Sequence, residues 1–207
     1  MTGQLALDFL TDPTLYEERL VFNVPMPDPM TPTLAVRRCA IAAMELKKTP
    51  LAGLGEDSPA VCDLKARLHA TMESFIWQGY RHFYTSATQG IELWAAEIVI
   101  ELREQYPGVA LEMVIPYDAH SSKWPADIRA RYDAVHRQAD IVTVIRHDYQ
   151  KGAIFARNRY LLDQCHLLVT ALVPDAGSGT EKLAVQAAWR GKQVCRVPII
   201  RPLRNAA

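Results

Sequence analysis

The chain has 207 residues, of which 49% are hydrophobic and 22% charged, with 23 lysines and arginines against 23 aspartates and glutamates. That length and apolar content support one domain with an appendage and exclude an intrinsically disordered chain. A formal net charge of zero gives no global attraction for nucleic acid or an anionic membrane, and no uncharged apolar stretch approaches the ~20 residues of a membrane-spanning helix.

Residues 1–35 differ from the rest. Pro13, Pro25, Pro27, Pro29 and Pro32 lie here, which argues against a regular helix or central strand over 24–33. A short helix is expected around Pro13 to Leu20. We read 1–35 as a proline-rich extension and 36–207 as the folded domain. Leu15, Tyr16, Leu20, Val21 and Phe22 need a surface to cover them, either the domain or a second copy in a homodimer. The opening Met1-Thr2-Gly3-Gln4 lacks the basic and apolar regions of a signal peptide. Cys39, Cys62, Cys165 and Cys195 are widely spaced and read as buried, reduced thiols, so a cytoplasmic protein is expected.

From Val36 onward, apolar runs alternate with helical periodicity. Arg38 to Met44 reads as a first strand, followed by a loop from Lys47 to Ser58. Ser58 is placed to cap a helix with Pro59 at its first position. Val61, Leu64, Leu68, Met72, Phe75 and Ile76 keep a period near 3.6, and Gly79 closes the helix. A second strand, Tyr80 to Thr85, precedes a helix from Gly90 to about Tyr106. A third, Val109 to Ile115, is stopped by Pro116, and a helix follows from Pro125 to Gln138. The fourth strand is Asp140 to Ile145, with a helix near Ala156 to Gln164. The fifth is Leu167 to Val173; a helix from Thr180 to Arg190 and a sixth strand, Gln193 to Ile199, complete the pattern. Such alternation implies right-handed crossovers and an α/β, doubly wound, mainly parallel sheet of about six strands, with helices on both faces. In Rossmann-like sheets of this kind, ligands bind beyond the strand carboxyl ends, where the strand order reverses.

Two strand-to-helix junctions fit that position. One is Ser86-Ala87-Thr88-Gln89-Gly90; the other is Gly177-Ser178-Gly179-Thr180. A glycine-containing turn that opens a helix presents free N–H groups and the positive end of the helix dipole, the features that hold a phosphate. The alternative is an ordinary loop, with glycine serving a positive φ and Ser86 or Thr88 capping the helix. Gly179→Val is expected to resist a positive φ and to crowd a phosphate. Glu92 either complements the helix dipole or accepts from a ribose hydroxyl. Asn158, placed near the start of its helix, either bridges strand ends or bonds a ligand. Arg157 reads as a surface ion pair or a phosphate partner, and Trp124 as a helix staple or a stacking surface. Glu97 is five residues from Glu92 and diverges from it on the helix, so the two do not form an acid–base pair. The six histidines and four cysteines show no metal-ligand spacing, and no Walker motif or nucleophile elbow is present. The catalytic residues are unknown on this reading, and no metal or cofactor is called for.

The run Phe83 to Glu97 resembles the helix-opening motif of the YpsA family of small bacterial proteins. Tyr106-Pro107, Ile115-Pro116 with Trp124, Arg131-Tyr132, Ala139-Asp140, Arg157-Asn158-Arg159-Tyr160 and Gly179-Thr180 fall where that family has similar residues. The resemblance covers about Arg38 to Ile199. It implies membership of the SLOG group of Rossmann-like folds, alongside the DprA proteins and the Lonely Guy phosphoribohydrolases. A nucleotide-derived ligand such as ADP-ribose or an NAD derivative is thereby implied, and homo-oligomers are common among such proteins. This chain departs from the family after the first strand, where Ala42-Ala43-Met44-Glu45 replaces Thr-Gly-His-Arg. Thr85-Ser86 replaces a Ser-Gly pair, and Ser178 replaces a glycine. An acidic Glu45 in place of arginine is expected to repel phosphate. The Lonely Guy carboxylate falls at Leu183, whereas Glu181 sits two helix positions away, about 200° around the axis.

Three functions remain open on the sequence. The first is a nucleotide-derivative-binding sensor or adaptor. The second is an enzyme cleaving an N-glycosidic bond, with Glu45, Glu92 and Glu97 as its available carboxylates. The third is an interaction domain without a ligand.

Overall fold

A computed structural model of the chain describes residues 36–200. The expected helix near Pro13 and the covering of the extension lie outside the described residues. Within them, six strands form one sheet: β1 (Arg37–Ala43), β2 (Tyr80–Thr85), β3 (Ala110–Ile115), β4 (Ile141–Val144), β5 (Leu167–Leu172) and β6 (Gln193–Pro198). Every pairing is parallel, in the order β4-β3-β2-β1-β5-β6. The chain therefore builds outward from β1 to β4, then returns to the other side of β1 to lay down β5 and β6. The reversal between β1 and β5 is the topological switch point.

Period-two alternation sends successive strand residues to opposite faces. Cys39 and Ile41 of β1, Phe83 of β2, Leu111 and Met113 of β3 and Val169 of β5 join one apolar cluster. That face is covered by α1 (Pro59–Trp77), α2 (Ile91–Gln105) and α3 (Ala126–Gln138). Ala40 and Ala42, Tyr84, Val114 and Leu168 point the other way, to α4 (Ala153–Gln164) and α5 (Gly179–Trp189). The six apolar α1 positions that carry the helical period are all buried. Each such side chain contributes roughly 1.5–3 kcal/mol of transfer free energy. The parallel α/β architecture follows from this two-sided burial.

Three local expectations change. Ser58 occupies the cap position of α1, but its hydroxyl makes no capping bond and lies buried without a hydrogen-bond partner. The Val61 and Cys62 N–H groups donate instead to the Ser58 carbonyl, at 3.0 and 2.9 Å. Helix α4 starts at Ala153, earlier than Ala156, because Gly152 at φ 94° turns the chain into it. Ile154 and Phe155 then face solvent at 54% and 80% exposure, against the apolar period that would mark a helix start. Cys62 is exposed, whereas Cys39 and Cys165 are buried and all four cysteines are free thiols. Among the described residues, no helix is long and apolar enough to cross a membrane.

Candidate functional site

A cleft of about 590 Å³ opens at the carboxyl edge of the sheet, over the switch point. Its floor is the end of β1 with the two residues that follow it, Ala42 to Glu45, where the Met44 N–H continues the ladder to the Ala171 carbonyl at 2.9 Å. Three stretches far apart in sequence close around it. They are the β2–α2 junction, the β5–α5 junction, and a wall built from the segment after β3 together with α4.

The β2–α2 junction is a polar support. The Ala43 N–H donates to Glu92 Oε1 at 3.1 Å, and Ser86 Oγ donates to Glu92 Oε2. A carboxylate only accepts, so the Ser86 proton is committed to it, and Thr88 Oγ1 donates in turn to Ser86 at 2.7 Å. Arg157 Nη1 stands 3.5 Å from the same Glu92 oxygen. Glu92 thus ties β1, β2 and α4 together from inside the protein, with only 7% exposure. Of the residues expected here to meet a ligand, Thr88, Gln89 and Glu92 line the cleft. Ser86 is fully buried beneath it. Gly90 lies behind it: at φ 91° it enters α2 with its Cα against Leu46, where an added Cβ would come within 3.0 Å of the Leu46 Cβ. Ala87 also holds a positive φ, 47°, which costs a non-glycine residue about 1–2 kcal/mol and is maintained by its complete burial.

The β5–α5 junction is open. Gly177, Ser178, Gly179 and Thr180 all line the cleft. The left-handed residue is Gly177, at φ 62°; Gly179 is not in that region, which corrects the basis on which a valine there was expected to strain the chain. A Cβ at Gly179 would meet nothing within 4 Å, so a valine would only fill cleft space. Ser178 caps α5 by accepting the Glu181 N–H at 3.1 Å, and Glu181 reaches back to the Gly177 N–H at 2.7 Å. This reciprocal pair is a capping box displaced by one residue.

The remaining wall is aromatic. Pro116, Tyr117, His120, Trp124 and Ile154 line it, with Arg157 and Asn158 of α4 below. His120 packs edge to face with Trp124 and Tyr132, at 5.0 and 5.1 Å between ring centres, and with Tyr117 at 6.0 Å. Burial, reinforced by the Arg157 charge, pushes its imidazole down to about 4. Both His120 ring nitrogens are buried without a hydrogen-bond partner, as are Arg157 Nε and Nη1. An unmet buried donor costs about 1–3 kcal/mol. Asn158 sits in the second turn of α4, not at its start, and makes no hydrogen bond across strand ends among the described residues. Trp124 lines the cleft and also packs on Tyr132 of α3 at 5.3 Å.

Arg157 is not a surface arginine; its residue exposure is 9%. His120 and Tyr117 were missed by the sequence reading. The signal for them was the aromatic spacing Tyr117, His120, Trp124 immediately after the Pro116 stop. At the cleft edge, Glu45 pairs with Lys48 at 2.6 Å and Lys47 at 3.1 Å. The Lys48 hydrogen bond chiefly holds the Glu45 carboxyl below its usual range. Because Lys48 lines the cleft beside it, that edge is less repulsive to an anion than the lone acidic residue implied. Glu97 lies outside the cleft, gripped by Arg131 Nε and Nη2 at 2.8 and 2.7 Å.

Comparison with known proteins places this architecture. The profile of the YspA SLOG family (YpsA) matches residues 46–196, from just after β1 into β6. A UPF0398 protein of Staphylococcus haemolyticus is 31% identical over 122 residues, 58% of this chain and 64% of that protein. UPF0398 proteins of Bacillus pumilus and Bacillus cereus are each 29% identical, over 150 and 156 residues. Those matches span 72% and 74% of this chain and 80% and 84% of the relatives. The departing segment Ala42 to Glu45 falls just before the matched region. The chain belongs to the YspA SLOG family.

Proposed function

We propose that this member of the YspA SLOG family binds a nucleotide or nucleotide derivative, of the ADP-ribose or NAD kind, in the switch-point cleft. On this reading it works in the cytoplasm as a sensor or adaptor and not as a fast catalyst. The observation that supports it is convergence: Thr88, Gln89 and Glu92, Asn158, and Gly177 to Thr180 line one cleft at the carboxyl edge of a parallel sheet. The cleft volume of about 590 Å³ lies in the range of small-molecule sites, roughly 300–1,000 Å³. The rings of Tyr117 and Trp124, which line the cleft, are available to stack on a base.

The carboxylates lining the cleft, Glu45 and Glu92, are both committed to partners. An N-glycosidic hydrolase would have to release one of them, so the binding reading is preferred. The test is thermal-shift and calorimetric titration of the full chain with AMP, ADP-ribose, NAD and cyclic dinucleotides. At least one is expected to raise the melting temperature, and Trp124→Ala to weaken it about tenfold or more, as loss of a stacking ring does. No response to any of them at millimolar concentration would favour the ligand-free interaction domain.

A further inference from the structure

The two positive features of the cleft are unequally occupied. At the N-terminus of α5, the Glu181 carboxylate already accepts the Gly177 N–H, so an incoming anion meets a like charge there. Arg157, on the floor, has the opposite situation. Glu92 balances its charge from 3.5 Å, but the Glu92 oxygens are hydrogen-bonded to the Ala43 N–H and to Ser86. Arg157 Nε and Nη1 remain buried and without hydrogen bonds, at a residue that lines the cleft. A guanidinium that carries unmet N–H donors is suited to an oxyanion, which its charge-assisted hydrogen bonds can hold. Asn158, the next residue, and His120 line the same cleft.

We infer that Arg157 is the anion-recognising residue of this cleft and that its guanidinium holds a phosphoryl group of the ligand. The inference rests on the cleft being a ligand site, but not on the ligand carrying a base. In this arrangement Lys48 supplies longer-range attraction, and Arg157 supplies the directed hydrogen bonds. Glu92, 3.5 Å from Nη1, holds the guanidinium in place.

Inorganic pyrophosphate is the probe. Calorimetric titration of the full chain is expected to show binding, weakened at least about tenfold by Arg157→Lys, a loss of about 1.4 kcal/mol. Lysine keeps the charge beside Glu92 but not the planar guanidinium, so this variant is expected to stay folded where Arg157→Gln leaves Glu92 unpaired. In the unaltered protein, the Arg157 Nε–H signal in nitrogen-15 spectra is expected to move as pyrophosphate is added. Absence of pyrophosphate binding, wild-type affinity in Arg157→Lys, or an unmoved Nε–H signal at saturation would each overturn the assignment. Binding of ADP-ribose with a pyrophosphate response independent of Arg157 would overturn it and leave the nucleotide reading standing. Pyrophosphate on Arg157 with no response to any nucleotide would do the reverse.

Discussion

The two junctions that face the cleft have the same sequence plan, a strand, a short polar turn with glycine and a helix, yet they do opposite work. At β2–α2 the polar groups are turned inward. Ser86 and Glu92 are buried, hydrogen-bonded to each other, and anchored to the end of β1 and to Arg157. At β5–α5 the turn is exposed, and its glycines border open space. The first junction fixes the geometry of the cleft, and the second provides its accessible edge. A glycine turn before a helix is therefore compatible with either role; the burial of its neighbours decides which.

The largest test of this contrast is Glu92→Ala. It leaves the buried Arg157 charge and the Ala43 N–H without their partner, which should cost about 3–5 kcal/mol in urea denaturation. A loss under about 1 kcal/mol would mean that the junction is not the anchor described. Next comes acid. His120, in the wall between the junctions, is held neutral by burial and by Arg157, with its pKa at about 4 against an ordinary 6.5. The unfolded chain therefore binds the extra proton first. The His120 contribution is complete above pH 6.5, declines below it, and is fully lost once pH has fallen through about 4. Roughly 3 kcal/mol should go in that interval, and His120→Phe should flatten the profile there. The window is separable from that of Glu56. Burial pushes the Glu56 carboxyl up, but hydrogen bonds from Arg131, Lys65 and Trp94 outweigh it and hold the group at about 2. Its contribution is lost between about pH 4.5 and 2.

Smaller effects separate the two glycines. Gly90→Ala places a Cβ 3.0 Å from Leu46 in a backbone conformation that side chains rarely adopt, and should cost about 1–3 kcal/mol by thermal denaturation. Gly179→Val meets no atom within 4 Å and should change stability by no more than about 0.5 kcal/mol. On the binding reading, the same valine should still weaken nucleotide affinity, since it narrows the cleft. A large stability loss at Gly179 with affinity intact would place that residue with Gly90 as a structural glycine.

Much of the fold was legible because its signals are local. The apolar period of α1, the Pro116 stop after β3 and the strand runs at Tyr80 and Leu167 each lie within one short window. The start of α4 was misplaced for an equally local reason, the exposed Ile154 and Phe155. The site was only partly legible. Its backbone positions followed from the strand ends, but Ser86 and Gly90 look the same in sequence as their cleft-lining neighbours Thr88 and Gln89. Arg157 gave no sign that it would be buried beside Glu92.

Hydrophobic periodicity by itself determined that this is a parallel α/β sheet and that both glycine turns end strands at the same edge. Tertiary structure alone decided which polar groups those turns expose. It turned Glu92 toward the β1 backbone, set Arg157 beneath the cleft and brought His120 against Tyr132 and Trp124. Periodicity reports which face of an element meets the core. Where one side chain's donors and acceptors end up depends on partners supplied by other elements, and those partners are fixed only once the sheet has assembled.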